Sequence, residues 1–77
     1  MKSKLISLLQ ELLMETDHID MIGIKVSILE STAFLANPRT IGEIRNILDN
    51  VNAYIDLPND ANKVNIEKLI QRINDKY

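Results

Sequence analysis

Residues 40–55, TIGEIRNILDNVNAYI, place the tightest constraint on the fold. Ile41, Ile44, Leu48, Val51 and Ile55 recur at alternating steps of three and four, which lays them along one stripe of a helix. Ile47 and Tyr54 widen the stripe on one side, while Glu43, Arg45, Asn46, Asp49, Asn50 and Asn52 form a wet face. Pro38 lies just upstream, Thr40 is a favoured N-cap residue, and Glu43 completes a Thr-x-x-Glu capping box. A helix with one apolar stripe must have that stripe covered, so the rest of the chain has to supply the cover.

Three other segments are candidates. In residues 3–15, Leu5, Leu8, Leu9, Leu12 and Leu13 form a helical stripe that Ser3 is placed to cap. Ile6 and Met14 fall off that stripe, so the helix is apolar over much of its circumference. This predicts packing against two neighbours, or a further contact with another chain. Residues 17–36 carry two patterns. Ile22, Ile24, Val26 and Ile28 alternate as in a strand, whereas Ile19, Ile22, Val26, Leu29, Ala33 and Ala36 match helical steps over a longer span. A strand needs a partner strand, and no other stretch alternates convincingly. The segment is therefore read as a helix, with Asp17 as its N-cap and Asn37-Pro38 as its terminator. Gly23 inside it costs about 1 kcal/mol relative to Ala.

After the break at residues 56–60, DLPND, a last helix runs from residue 60 or 62 to 75. Ile66, Leu69, Ile70 and Ile73 form its stripe, with Val64 one turn before; Lys68, Arg72 and Lys76 step by four along its other side. Four helices joined by short links predict an all-α chain: one domain, residues 1–77, folded as a compact four-helix bundle with antiparallel neighbours.

Composition narrows the function. A chain of 77 residues buries only about 60% of the surface its unfolded form exposes, so its stability is modest. Phe34, Tyr54 and Tyr77 are its aromatics, so the core must be aliphatic. With no cysteine there is no disulfide and no thiolate chemistry, which fits a reducing compartment. Gln10 and Glu11 interrupt the N-terminal apolar run, so it does not fit a secretory signal. No segment approaches the roughly 20 apolar residues of a membrane span. The expected setting is soluble and cytoplasmic. The net charge is −2; three lysines face five acids in residues 1–38, and six basic face six acidic residues in 39–77. Neither half shows the basic excess of a nucleic-acid binder.

No set of residues points to catalysis. His18 is the single histidine; Asp17 and Asp20 flank it, but no second histidine or cysteine completes a transition-metal set. Glu11 and Glu15 lie one turn apart on the polar side of a leucine-rich helix, as a solvated pair. The serines and threonines have one possible histidine partner and no nucleophile-elbow context, and Gly23 and Gly42 are too isolated to cradle a phosphate. The chain is expected to be non-enzymatic, with no cofactor and no metal.

Residues 51–74 resemble the C-terminal part of acyl carrier proteins. Tyr54-Ile55-Asp56-Leu57-Pro58 is similar to the aromatic–apolar–apolar–Pro stretch that leaves that family's long second helix, with one residue fewer. Lys63-Val64 and the run from Ile66 to Asn74 are similar to the family's last helix in apolar spacing. The family attaches phosphopantetheine to a serine in an Asp-Ser-Leu motif opening its second helix. Asn37-Pro38-Arg39-Thr40-Ile41 stands there in this chain, so the resemblance implies a form without the prosthetic group. A shorter stretch, Leu35 to Ile44, resembles the entry to a helix-turn-helix, but its apolar stripe continues to Ile55 where that motif would turn.

The expected function is a small protein–protein interaction module of the adaptor, inhibitor or immunity type, binding through an apolar helix face. Ile47 and Tyr54 are its candidate apolar contacts, and Lys68, Arg72 and Lys76 a basic row that docks an acidic surface. A protein partner or self-association would occupy the face; nucleic acid is not expected. The alternatives are an acyl carrier protein-like domain and a helix-turn-helix nucleic-acid binder.

Overall fold

The computed structural model describes residues 2–33 and 36–76. Four helices account for most of them: α1 (Lys2–Met14), α2 (His18–Ala33), α3 (Ile41–Asp56) and α4 (Asp60–Lys76), with no strand among the described residues. Phe34 and Leu35, which the sequence reading places at the end of the second helix, lie outside the described residues. α1 packs on α2 and α4, and α3 packs on α2 and α4. The helices therefore stand at the corners of a square in chain order, within an envelope of 32 × 22 × 19 Å. Polar contacts fix their directions. Lys2 Nζ donates to the Asn74 carbonyl at 3.1 Å, bringing the start of α1 to the end of α4. Glu43 in the first turn of α3 meets Arg72 and Lys76 near the end of α4. The all-α bundle read from the sequence is the fold that forms.

The core is aliphatic apart from one ring. Leu5, Leu9 and Leu12 of α1, Met21, Ile24 and Ile28 of α2, Ile47, Val51, Tyr54 and Ile55 of α3, and Ile66, Leu69 and Ile73 of α4 make one cluster. Ile6, Leu8, Leu13, Leu48 and Ile70 pack on its margin. α1 and α4 bury the stripes that their spacing predicts, except that Val64, one turn before the α4 stripe, is left exposed.

The helix ends are held by side chains, not always those expected. Asp17 does cap α2: its Oδ1 accepts from the amides of Ile19 at 2.9 Å and Asp20 at 3.1 Å. Ser3 is no cap, since α1 already begins at Lys2. Thr40 makes no side-chain cap bond to α3. Its hydroxyl accepts from the Asn37 amide and donates to the Asn37 carbonyl. The capping role moves one turn upstream: Asn37 Oδ1 accepts from the Arg39 amide at 2.8 Å and the Thr40 amide at 3.2 Å. Pro38 follows at the position where its missing N–H costs nothing. At the other end of α3, Asn62 Nδ2 donates to the carbonyls of Leu57 at 2.8 Å and Ala53 at 3.3 Å. Asn59 Oδ1 accepts from the Asn62 amide at 2.8 Å, so two asparagines close the α3–α4 turn.

Two stripes are placed differently from the sequence reading. On α3 the buried face is rotated toward Ile47 and Tyr54, and Ile41 is left 64% exposed. On α2 the row whose spacing marks the helix faces outward. Met21, Ile24, Ile28, Ser31 and Thr32 are buried in place of Ile19, Ile22, Val26 and Leu29. Both rows step by three and four, and the outer one is longer, because Ser31 interrupts the apolar character of the inner one.

Candidate protein-docking surface

The five residues singled out for partner binding divide into two groups. Ile47 and Tyr54 are 4% and 5% exposed and belong to the core. They sit on the buried face of α3, where Leu69 and Ile73 of α4 lie across from Ile47. Neither offers a surface to a partner, which corrects the expectation for both. The physical reason is the rotation of α3, which turns the edge of its stripe inward.

Lys68, Arg72 and Lys76 lie along the exposed side of α4 as the four-residue step requires. Two of them are engaged within the chain. Glu43 Oε1 lies 2.8 Å from Lys76 Nζ and 3.4 Å from Arg72 Nε. This carboxylate is largely covered and ties α3 to α4, while the two cations remain mostly solvated. The pairing is worth about 0.2–1 kcal/mol per contact at such exposure. The row therefore has a structural use before any docking use. Lys68 has no ion pair among the described residues.

The apolar surface lies on α2. Ile19 is 78% exposed, Val26 50%, Ile22 45% and Leu29 40%. Their steps of three, four and three place them in one row, which the exposed Ala33 extends. The row runs along the helix on the side away from Met21, Ile24 and Ile28. Isolated exposed apolar side chains are ordinary on a protein surface; a contiguous row along one helix is the feature that marks interaction sites. Met14, exposed at the end of α1, lies shortly before the helix carrying this row.

Charge differs on the two flanks. An open groove between α1 and α2 runs beside Ile19, Gly23 and Ser27, with Glu11, Glu15 and Asp20 on its walls. Glu30 lies on the same flank one turn further along the helix, whereas Lys25 and His18 lie on the opposite flank. No ion pair engages Lys25 or Glu30 among the described residues. The spacing in the sequence marks every residue of this row as helical without saying which way the row faces. The signal that separates the two faces of α2 is absent from the pattern, because both are apolar.

His18, Asp17 and Asp20 do not converge on a site. Asp17 is occupied as a cap, and no group of three His, Cys, Asp or Glu side chains able to hold a metal forms among the described residues. No helix is long and apolar enough to cross a membrane among the described residues. Compared with protein-family models, curated proteins and solved structures, the chain matches none.

Proposed function

We propose that this protein is a non-enzymatic interaction module that binds protein through the outer face of α2. The exposed row Ile19, Ile22, Val26 and Leu29 carries the proposal. It replaces Ile47 and Tyr54 as the apolar contact, and leaves the Lys68, Arg72, Lys76 row as a secondary surface on a different corner of the bundle. Transfer of such side chains out of water is favourable by about 25 cal/mol per Å² of apolar area, so a docked helix or apolar face gains at each of the four positions. An open helix face needs no rearrangement of the bundle to be covered.

The test is a pull-down from the native host with the tagged chain and its Val26→Asp variant, each checked for helical circular dichroism. Val26 lies outside the core cluster, so the variant is expected to stay folded while losing the stoichiometric protein that the parent retains, whether a second copy or another chain. Identical eluates from parent and variant would overturn the assignment of this face. Retention that fails instead on Lys68→Glu would move the site to α4.

A further inference from the structure

We infer that the occupant of the α2 face is a second copy of this chain, docked with the two α2 helices side by side and parallel. The inference rests on the proposal that this face binds protein, and names the partner.

The row has the spacing of a two-stranded seam. Ile19, Val26 and Ala33 fall at the first position of successive heptads, and Ile22 and Leu29 at the fourth. β-branched residues at the first position with leucine at the fourth favour two parallel strands; Ile19, Val26 and Leu29 follow that rule, and Ile22 departs from it. α2 is about 24 Å long, and the seam occupies two heptads of it. Such a length is marginal for isolated peptides, because they must order their helices on binding. Here the bundle core already holds α2 as a helix through Met21, Ile24 and Ile28, so that cost is met before the copies meet.

The flanking charges choose the partner and its direction. In a parallel seam Lys25 of one copy lies beside Glu30 of the other, five residues on, and the two-fold axis repeats the pair. Neither residue has an ion pair within the chain among the described residues. The acidic flank, with Glu11, Glu15 and Asp20 on the groove walls, likewise turns toward the Lys25 and His18 flank of the other copy. An antiparallel seam centred on Val26 would set Lys25 against Lys25. The inner face of α2 points away from the seam, so the contact leaves Met21, Ile24 and Ile28 in the core, while α1 flanks the seam beside Ile19. One helix face covers less than the roughly 800 Å² per partner of a standard interface, so the dimer is expected to be weak and in exchange with monomer.

The experiment is sedimentation equilibrium on the purified chain from micromolar to millimolar concentration. The wild-type chain is expected to move from monomer to dimer. Lys25→Glu and Glu30→Lys each place like charges across the seam and are expected to weaken association several-fold, while the double swap restores it. The chain lacks cysteine, so the Ile19→Cys variant, substituted at an exposed position, reports direction: mild oxidation should link two copies through a disulfide between their positions 19. In a mixture of the Ile19→Cys and Ala33→Cys variants, cross-links that join position 19 to position 33 and not to itself would overturn the parallel arrangement. A monomer at every concentration would overturn self-association. If that monomer still captured another protein in a Val26-dependent way, the binding face would stand with a different occupant; if it captured none, both readings would fall.

Discussion

Helices α2 and α3 have the same length, 16 residues, and stand side by side in the bundle, yet they hold their apolar side chains in different ways. α3 divides into a dry face and a wet one. Its polar residues Arg45, Asn46, Asp49 and Asn52 gather on one side, so its orientation follows from its sequence. On α2 the charged residues Asp20, Lys25 and Glu30 are spread around the helix and separate two apolar rows. One row builds the core and the other has water against it. Periodicity thus reports an orientation only when the opposite face is polar; with two dry faces it reports a helix and no more.

The most severe trial of this contrast shortens one residue on each face of α2. Ile28→Ala removes a fully buried side chain and should cost about 2–5 kcal/mol in urea unfolding. A chain of this size has about 4–12 kcal/mol in total, so that loss would be a large share of it. Val26→Ala, on the outer face, should stay within about 0.5 kcal/mol at concentrations where the chain is monomeric. Equal losses would show that the outer row is buried and the core lies elsewhere.

The same contrast can be drawn within α3. Ile47→Ala should lose about 2–5 kcal/mol, while Ile41→Ala, at an exposed position, should lose no more than about 0.5 kcal/mol. Reversed magnitudes would restore the stripe centred on Ile44 and Leu48. At the start of the helices, Asp17→Ala should cost about 0.5–2 kcal/mol by freeing two amides, and Asn37→Ala a similar amount, measured by thermal melting. A cost at Thr40 but none at Asn37 would return the cap to the position that the Thr-x-x-Glu pattern indicates. The smallest expected change is a gain. Gly23 lies in mid-helix with open space where a Cβ would stand, so Gly23→Ala should stabilise the chain by about 0.4–1 kcal/mol.

These pairs also show where the sequence is legible. The stripe of α4 lies opposite clearly polar positions and that of α1 is its densest apolar row, and Leu5, Leu9, Leu12, Ile66, Leu69 and Ile73 are buried as their spacing indicates. Asp17 marks the start of α2 because a carboxylate before two free amides has one obvious use. The cap of α3 is less legible, since Asn37 and Thr40 are both good cap residues three positions apart, and the backbone turn at Pro38 decides between them. The candidate site is legible in its residues and not in its location. Ile19, Ile22, Val26 and Leu29 look like core because they are apolar and periodic. Which of two such rows faces inward is settled by the contacts of α1 and α3 on either side of α2, and local spacing holds no record of those. Ile47 and Tyr54 look like margin because the spacing centres the stripe one residue too far toward Ile44 and Leu48.

The asparagine-closed turn between α3 and α4 has a consequence in time. Asn59 and Asn62 secure one end of this hairpin, and Glu43 with Arg72 and Lys76 secures the other. The asparagine contacts join residues close in sequence, so little chain has to be ordered before they meet, and helical folds rich in such local contacts assemble in roughly microseconds to milliseconds. Amide exchange should then find the end of the hairpin closed by Asn59 and Asn62 among the last regions to open.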